Sequence, residues 1–180
     1  MGEVCLGEWI MAASQSLLEQ IAAAQVNAKA LEGRISEALK LVDSSLRTDA
    51  QVKELRRATK ALELAAVDIF SMFEARMQHH FKRGPFSRKL KALLLESKQP
   101  DLADRLHKYY LAINVLKHGK GASYRELLNS PTFLFDVKSP QATKSEEAQP
   151  PVSLIDVTAP GFFDGLTKTI VDAYYFLEGK

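Results

Sequence analysis

The stretch that decides the fold is LELAAVDIFSMFEARM, residues 62–77, inside a longer segment (residues 50–81) with the pattern of an α-helix. Apolar side chains recur there at steps of three and four residues, the spacing of one helix face. That face runs through Val52, Leu55, Thr59, Leu62, Ala66, Ile69, Phe73 and Met77, and a second apolar line adds Leu64, Val67 and Phe70. A helix that is apolar over so much of its surface is usually central to its domain, and we expect that position here.

The preceding segment, residues 12–46, carries a seam of apolar residues at alternating steps of four and three. The seam consists of Leu17, Ile21, Ala24, Ala28, Leu31, Ile35, Ala38 and Val42. Its alanines allow a second helix to approach closely. We therefore expect the two segments to form an antiparallel helical hairpin, with Thr48 or Asp49 capping the second helix.

Shorter helical segments follow. Gly84-Pro85 is typical of a helix end, and the same periodicity predicts helices over residues 86–96, 100–118, 123–128 and 160–178. Only residues 132–137 and 152–157 resemble strands. The Pro- and Ser-rich residues 138–151 between them are typical of a mobile loop. The sequence thus predicts an all-α, up-and-down helical bundle with a small C-terminal β-hairpin.

Length and composition indicate one globular domain. We expect residues 1–11 to be an extension, with Met11 an alternative start to Met1, and residues 12–180 to form a single domain. The net charge of +2 indicates no particular partner. The single cysteine, Cys5, excludes an internal disulfide and fits a reducing compartment. No apolar run reaches the roughly 20 residues of a membrane span, so we expect a cytoplasmic protein without membrane contact.

The chemically richest segment is the end of the helix over residues 100–118. Asn114 and His118 lie one turn apart on one face, Lys117 lies beside them, and Gly119 follows as a helix stop. We take Asn114, Lys117 and His118 as candidate catalytic residues. The alternative interpretation is that basic residues and a glycine simply end a helix, where the helix dipole favours positive charge.

A polar line crosses the central helix and supplies two supporting candidates. Asp68, Met72, Arg76 and His80 follow one another at four-residue steps. We expect Asp68 to meet Asn114 or His118 across the bundle and to orient the imidazole. The alternative is that Asp68 pairs locally.

Cations cluster between residues 76 and 91, a segment that we call the basic turn. It contains Arg76, His79, His80, Lys82, Arg83, Arg88, Lys89 and Lys91, interleaved with Phe81 and Phe86. Such a patch can hold phosphates while aromatic rings stack on bases, although a solvated surface is the plainer interpretation. We expect no metal site, because His79 and His80 would diverge by about 100° on a helix.

The predicted bundle, the motif Asn114-x-x-Lys117-His118-Gly119 and the long helix before Gly84-Pro85 together resemble HEPN-domain proteins. These are helical domains, often dimeric, found in prokaryotic toxin–antitoxin and phage-defence systems, and many are metal-independent endoribonucleases. The resemblance covers roughly residues 50–128. It implies a homodimer that needs no cofactor, with RNA as substrate or ligand and a cognate antitoxin as a possible partner protein.

The family's catalytic signature is an arginine, commonly followed by a polar residue, and then a histidine. His118 matches the histidine and Asn114 the polar residue, but the arginine position falls on Ile113. The other permitted spacings fall on Leu111 and Ala112. The resemblance implies that His118 transfers protons at the ribose 2′-hydroxyl or the leaving oxygen, with the charge of the missing arginine supplied by Lys117, Arg76 or Arg125.

Two hypotheses of function follow from these patterns. The first is an RNA-directed protein, either an active ribonuclease or a relative that has lost cleavage and still binds RNA. Its RNA-binding residues are predicted to be Arg83, Arg88, Lys120 and Arg125. The second is a non-enzymatic interaction module in which the helix over residues 12–46 docks a partner protein.

Overall fold

The computed structural model describes residues 16–40, 48–139 and 153–179. Within these ranges the chain forms α1 (Leu17–Lys40), α2 (Asp49–Met77), α3 (Phe86–Glu96), α4 (Pro100–His118), α5 (Ala122–Asn129) and α6 (Phe162–Glu178). The all-α class is confirmed. The predicted extension over residues 1–11 and most of the predicted loop over residues 138–151 lie outside the described residues. None of the described helices combines the length and apolar character needed to cross a membrane.

Helix α2 is the centre of the bundle, as its sequence predicts. It packs against α1, α4 and α6, and Leu62, Ala66, Phe70 and Phe73 are completely buried along it. The predicted second apolar line is only partly correct, because the side chain of Leu64 is 50% exposed. Three neighbouring helices therefore take their positions from one buried face.

The seam of α1 is buried inside the protein's own bundle. The buried residues of α1 all belong to the predicted seam: Leu17, Ile21, Ala28, Leu31, Ile35 and Ala38. α1 packs on α2 and α6, and Gln25 Nε2 donates a 2.9 Å hydrogen bond to Thr167 Oγ1 of α6. Arg34, late in α1, pairs with Glu54, early in α2, as an antiparallel hairpin requires.

Local signals fix both ends of α2. Thr48 Oγ1 accepts a hydrogen bond from the backbone N–H of Gln51, whose side chain accepts one from Thr48 N–H, which completes a capping box. At the other end α2 stops at Met77, and a 3₁₀ turn over Gln78–His80 follows. The predicted helix over residues 50–81 is therefore too long by one turn, and Gly84 then bends the chain with φ of +96°.

The predicted C-terminal β-hairpin is reduced to one antiparallel bridge between Val137 and Ile155, and the described residues contain no strand. Two backbone hydrogen bonds flank the bridge: Lys138 N–H to Leu154 O at 2.9 Å and Asp156 N–H to Asp136 O at 3.1 Å. The strand-like alternation has another cause. Phe135, Ile155 and Val157 are buried in the bundle, so their apolar character reflects packing rather than a sheet.

Helices α4 and α6 touch where Tyr109 meets Gly165. Tyr109 is 1% exposed, and its hydroxyl donates a long, 3.5 Å hydrogen bond to Phe162 O. Burial raises the pKa of Tyr109 to about 12. A Cβ atom added at Gly165 would overlap the Tyr109 hydroxyl. Glycine is therefore required there for the two helices to approach this closely.

We predict that Gly165→Ala lowers the free energy of unfolding by about 1–3 kcal/mol, the usual cost of an overpacked core. Adding Tyr109→Phe should recover part of that loss, because the overlapping oxygen is removed. Chemical denaturation of the two single variants and the double variant measures the coupling.

Gly33→Ala is the matched control, because a Cβ at Gly33 meets nothing within 4 Å. It should raise stability by up to about 1 kcal/mol through helix propensity. A Gly165→Ala protein as stable as the wild type would contradict the proposed close approach.

Candidate functional site

The candidate catalytic residues lie on the last turns of α4, which ends at His118 as predicted. Asn114 is half-buried, whereas Lys117 and His118 are exposed. All three share one side of the helix because they are three and four residues apart. Gly119 follows with φ of +70°, a backbone conformation that L side chains rarely adopt.

A surface cleft of about 480 Å³ separates Asn114 from the end of α2 and the start of α3. It is lined by Glu74, Ala75, Gln78, Pro85, Phe86, Ser87, Tyr110 and Asn114. Its volume falls within the range of about 300–1,000 Å³ that is usual for ligand sites. The cleft thus joins two features that the sequence predicts separately, the Asn114 face of α4 and the basic turn.

The walls of the cleft carry both acceptors and donors. Ser87 Oγ, which is buried, donates a 2.6 Å hydrogen bond to Glu74 Oε1. The carboxamide of Asn114 makes no hydrogen bond to any other described residue, so its donors and its acceptor are available to a ligand. Tyr110 supplies a half-buried ring, whose centroid lies 6.4 Å from that of His107 in a stacked arrangement.

The basic turn beside the cleft carries several exposed cations and no acidic residue of its own. Residues 75–95 contain no Asp or Glu. Lys82, Arg83, Arg88 and Lys89 are exposed, and none of them forms an ion pair with a described residue. Unpaired cations around a concave surface favour the binding of anions. Arg76 is half-buried at the end of α2, and the predicted cations Lys120 and Arg125 are exposed beyond the end of α4.

The two phenylalanines of the basic turn serve the core more than the surface. Phe86 is buried, with its ring 5.3 Å from that of Phe73. Phe81 packs edge-on against Phe86 at 5.6 Å. The ring that faces the cleft from α4 is Tyr110, for which the sequence predicted no functional role.

The predicted contact of Asp68 with Asn114 or His118 is not formed. Asp68 is exposed on α2 and makes no hydrogen bond or ion pair within the described chain. The buried carboxylate of α2 is instead Glu63, held by Lys60 at 3.0 Å. Asp68 belongs to the face of α2 that turns away from the core, and His118 makes no hydrogen bond or ion pair with any carboxylate of α2.

The expectation that His79 and His80 diverge is wrong, because the α-helix has already ended at Met77. In the 3₁₀ turn that follows, the two imidazole rings lie side by side with centroids 4.1 Å apart. His80 Nε2 lies 3.1 Å from Glu178 Oε1. A 3₁₀ turn is an ordinary way for an α-helix to end, but no residue type in this sequence marks it.

A second cleft, of about 550 Å³, lies between α1 and the segment that precedes α6 and contains no residue predicted for function. Glu32 lines it. Burial raises the pKa of the Glu32 carboxyl, the charge of Asp164 raises it further, and Lys29 opposes the shift. The sequence gives no sign of this pair, because Glu32 and Asp164 are far apart along the chain.

Compared with protein-family models, with curated proteins and with solved structures, the chain matches none of them. Its function therefore has to be argued from the geometry of its own residues.

We predict that Asp68→Ala changes the free energy of unfolding by less than about 0.5 kcal/mol, because Asp68 is exposed and makes no hydrogen bond or ion pair with a described residue. Ser87→Ala should cost about 1–3 kcal/mol, because it leaves the Glu74 carboxylate without its donor. Urea denaturation of the two variants measures both effects, and a loss at Asp68 as large as that at Ser87 would contradict these assignments.

Proposed function

We propose that this protein is a HEPN-like RNA-binding protein that holds single-stranded RNA across the cleft and the basic turn. The observation that carries the proposal is the cleft itself, where Asn114 of α4 faces the turn between α2 and α3. Two segments that the sequence marks for different chemical reasons line one concave surface. Cations lie outside the cleft, and polar groups and an aromatic ring lie inside it. This combination matches a nucleotide, which has a charged phosphate and an uncharged base.

The basic turn supplies the phosphate-binding part of the proposed interface. Lys82, Arg83 and Arg88 are exposed, and none of them forms an ion pair with a described residue. Single-stranded RNA brings a phosphate with every nucleotide, and neutralising phosphates releases bound counterions. Lys117, Lys120 and Arg125 extend the cationic surface along the end of α4 and the start of α5.

The cleft supplies the part that contacts bases. An unpaired base exposes its ring face and its hydrogen-bonding edge, and proteins read it by stacking and by amide contacts. Tyr110 offers a ring for stacking, while the free carboxamide of Asn114 offers two donors and an acceptor. The chemistry of the lining therefore fits single-stranded RNA better than a duplex.

We propose that RNA cleavage by the family's mechanism is lost. Ile113 stands at the arginine position, and its side chain is only 1% exposed, within the core. Ala112 and Leu111, at the other permitted spacings, are buried too. No cation from α4 can therefore stabilise the phosphorane from those positions, and His118 makes no hydrogen bond or ion pair with any carboxylate of α2.

The first test of the proposal removes the cations of the basic turn. We predict that Lys82→Gln, Arg83→Gln and Arg88→Gln together weaken binding of a fluorescent single-stranded RNA by about tenfold or more. The plot of log affinity against log salt concentration should become shallower. Its negative slope should decrease in magnitude by about 2, because three phosphate contacts are lost. Fluorescence anisotropy over a series of salt concentrations measures both quantities.

The control triple Lys53→Gln, Arg56→Gln and Arg57→Gln removes the same charge from an exposed part of α2. It should leave both the affinity and the slope nearly unchanged. Asn114→Ala tests the cleft and should weaken binding without changing the slope, whereas Asn129→Ala, at the end of α5, should not. Equal losses of affinity in the two triple variants would show that binding depends only on net charge, and would contradict the proposed interface.

We predict that His118→Ala binds the same RNA as tightly as the wild type and that neither protein cleaves it in the presence of EDTA. The reason is that exposed His118 forms no hydrogen bond or ion pair with a described residue, and that buried Ile113 occupies the arginine position. Denaturing gel electrophoresis of the RNA gives the result. Cleavage by the wild type that disappears in His118→Ala would show that catalysis survives.

The alternative function, an interaction module based on α1, has weaker support. The seam that was to dock a partner is buried against α2 and α6. Large apolar side chains exposed on α1 are limited, within its described length, to Val26 and Leu39. Homodimerisation through the Asn114/His118 faces and pairing with a cognate antitoxin in a toxin–antitoxin or phage-defence system stay predictions.

A further inference from the structure

We propose that His79, His80 and Glu178 bind a divalent transition-metal ion, with Zn²⁺ the best fit. One nitrogen from each imidazole and one carboxylate oxygen of Glu178 lie within 4.8 Å of one another. Two imidazoles and a carboxylate are a donor set that Zn²⁺ and neighbouring transition metals prefer. His79 and His80 belong to the basic turn, but neither they nor Glu178 is among the residues proposed to contact RNA, so the metal site does not depend on the proposed function.

The distances suit a small ion after slight adjustment. Ligand bonds of roughly 2.0–2.1 Å around a tetrahedral ion hold the donor atoms about 3.3 Å apart. His80 Nε2 and Glu178 Oε1 already lie 3.1 Å apart. All three residues are exposed, so the third donor can close the remaining gap by a side-chain rotation.

A backbone contact prepares His79 as a ligand. His79 Nδ1 lies 2.7 Å from the carbonyl oxygen of Arg76. Because a carbonyl oxygen can only accept a hydrogen bond, Nδ1 carries the proton, and in the neutral imidazole Nε2 keeps its lone pair. Metal-bound histidines usually donate their second ring nitrogen to such an acceptor, which fixes the tautomer and the orientation of the ring.

The ligands come from two elements that are distant in sequence. His79 and His80 belong to the 3₁₀ turn after α2, while Glu178 is the last residue of α6. A bound ion replaces the proton between His80 and Glu178 and links the ends of both elements. Because the ion binds the folded chain and the unfolded chain does not hold the three ligands together, binding should raise the unfolding temperature. The fourth position of a tetrahedral ion is left to water or an exogenous ligand.

The test is a calorimetric titration of the full, untagged chain with Zn²⁺, with Cys5→Ser in every protein so that the single thiol cannot bind the metal. We expect one ion per chain and a higher unfolding temperature. His79→Ala and Glu178→Gln should each weaken binding by at least about tenfold. Co²⁺ in place of Zn²⁺ should give the intense visible absorption of a tetrahedral complex, and His79→Ala should abolish that absorption.

His107→Ala is the matched control, because His107 pairs with Glu126 at 2.7 Å but no described His, Cys, Asp or Glu adds a third ligand there. It should bind Zn²⁺ like the parent protein. Circular dichroism confirms that each variant is folded before titration. No binding by the parent protein, or equal binding by the parent, His79→Ala and Glu178→Gln proteins, would overturn the proposal.

Discussion

The burial of one long face of α2 is the constraint on which the rest of the structure depends. Phe70 and Phe73 are completely buried on that face, and removing a side chain of this size from water stabilises a fold by roughly 1.5–3 kcal/mol. α1, α4 and α6 all pack on the same helix. Asn114 is therefore positioned by how α4 packs on α2, α3 is positioned by its packing on α4, and the basic turn begins where α2 ends.

The end of α2 decides where polar chemistry can appear. Up to Met77 the helix has a buried face, and its backbone groups are satisfied within the helix. Beyond Met77 the chain makes a 3₁₀ turn and then bends at Gly84, and exposed histidines and cations replace the apolar pattern. The negative end of the helix dipole favours cations at that point. The cleft and the proposed metal site therefore both begin where the core helix stops.

The bounds of a helix could be predicted from the sequence where a proline or glycine next to the helix sets them. Pro85 precedes α3 and Gly119 ends α4, so the predicted bounds of both helices agree with the structure. The end of α2 was missed because no proline or glycine interrupts residues 78–81. The hairpin was predicted, but the described residues show only the Val137–Ile155 bridge. The apolar alternation that suggested strands reflects the burial of Phe135, Ile155 and Val157 in the bundle.

In the candidate site too, features set by nearby residues could be predicted from the sequence, whereas contacts between distant residues could not. The spacing of Asn114, Lys117 and His118 is local, so their common side of α4 follows from the sequence. The partners across the bundle are not local. Asp68 was expected to face α4, but the rotation of α2 about its axis turns Asp68 to solvent and Glu74 toward the cleft. Polar residues at four-residue steps do not determine which side of α2 faces the core, because several sides of α2 are apolar enough to be buried.

The carboxylate of Glu74 gives the proposed interface a direction. Glu74 lines the cleft and is held by Ser87 at 2.6 Å, while the cations lie on the turn outside. A phosphate inside the cleft would be repelled by Glu74, so phosphates belong on the basic turn. A base has no charge and carries N–H donors that a carboxylate accepts. If the protein binds RNA as we propose, this arrangement of charge would place the base toward Asn114 and the phosphate toward Arg83 and Arg88.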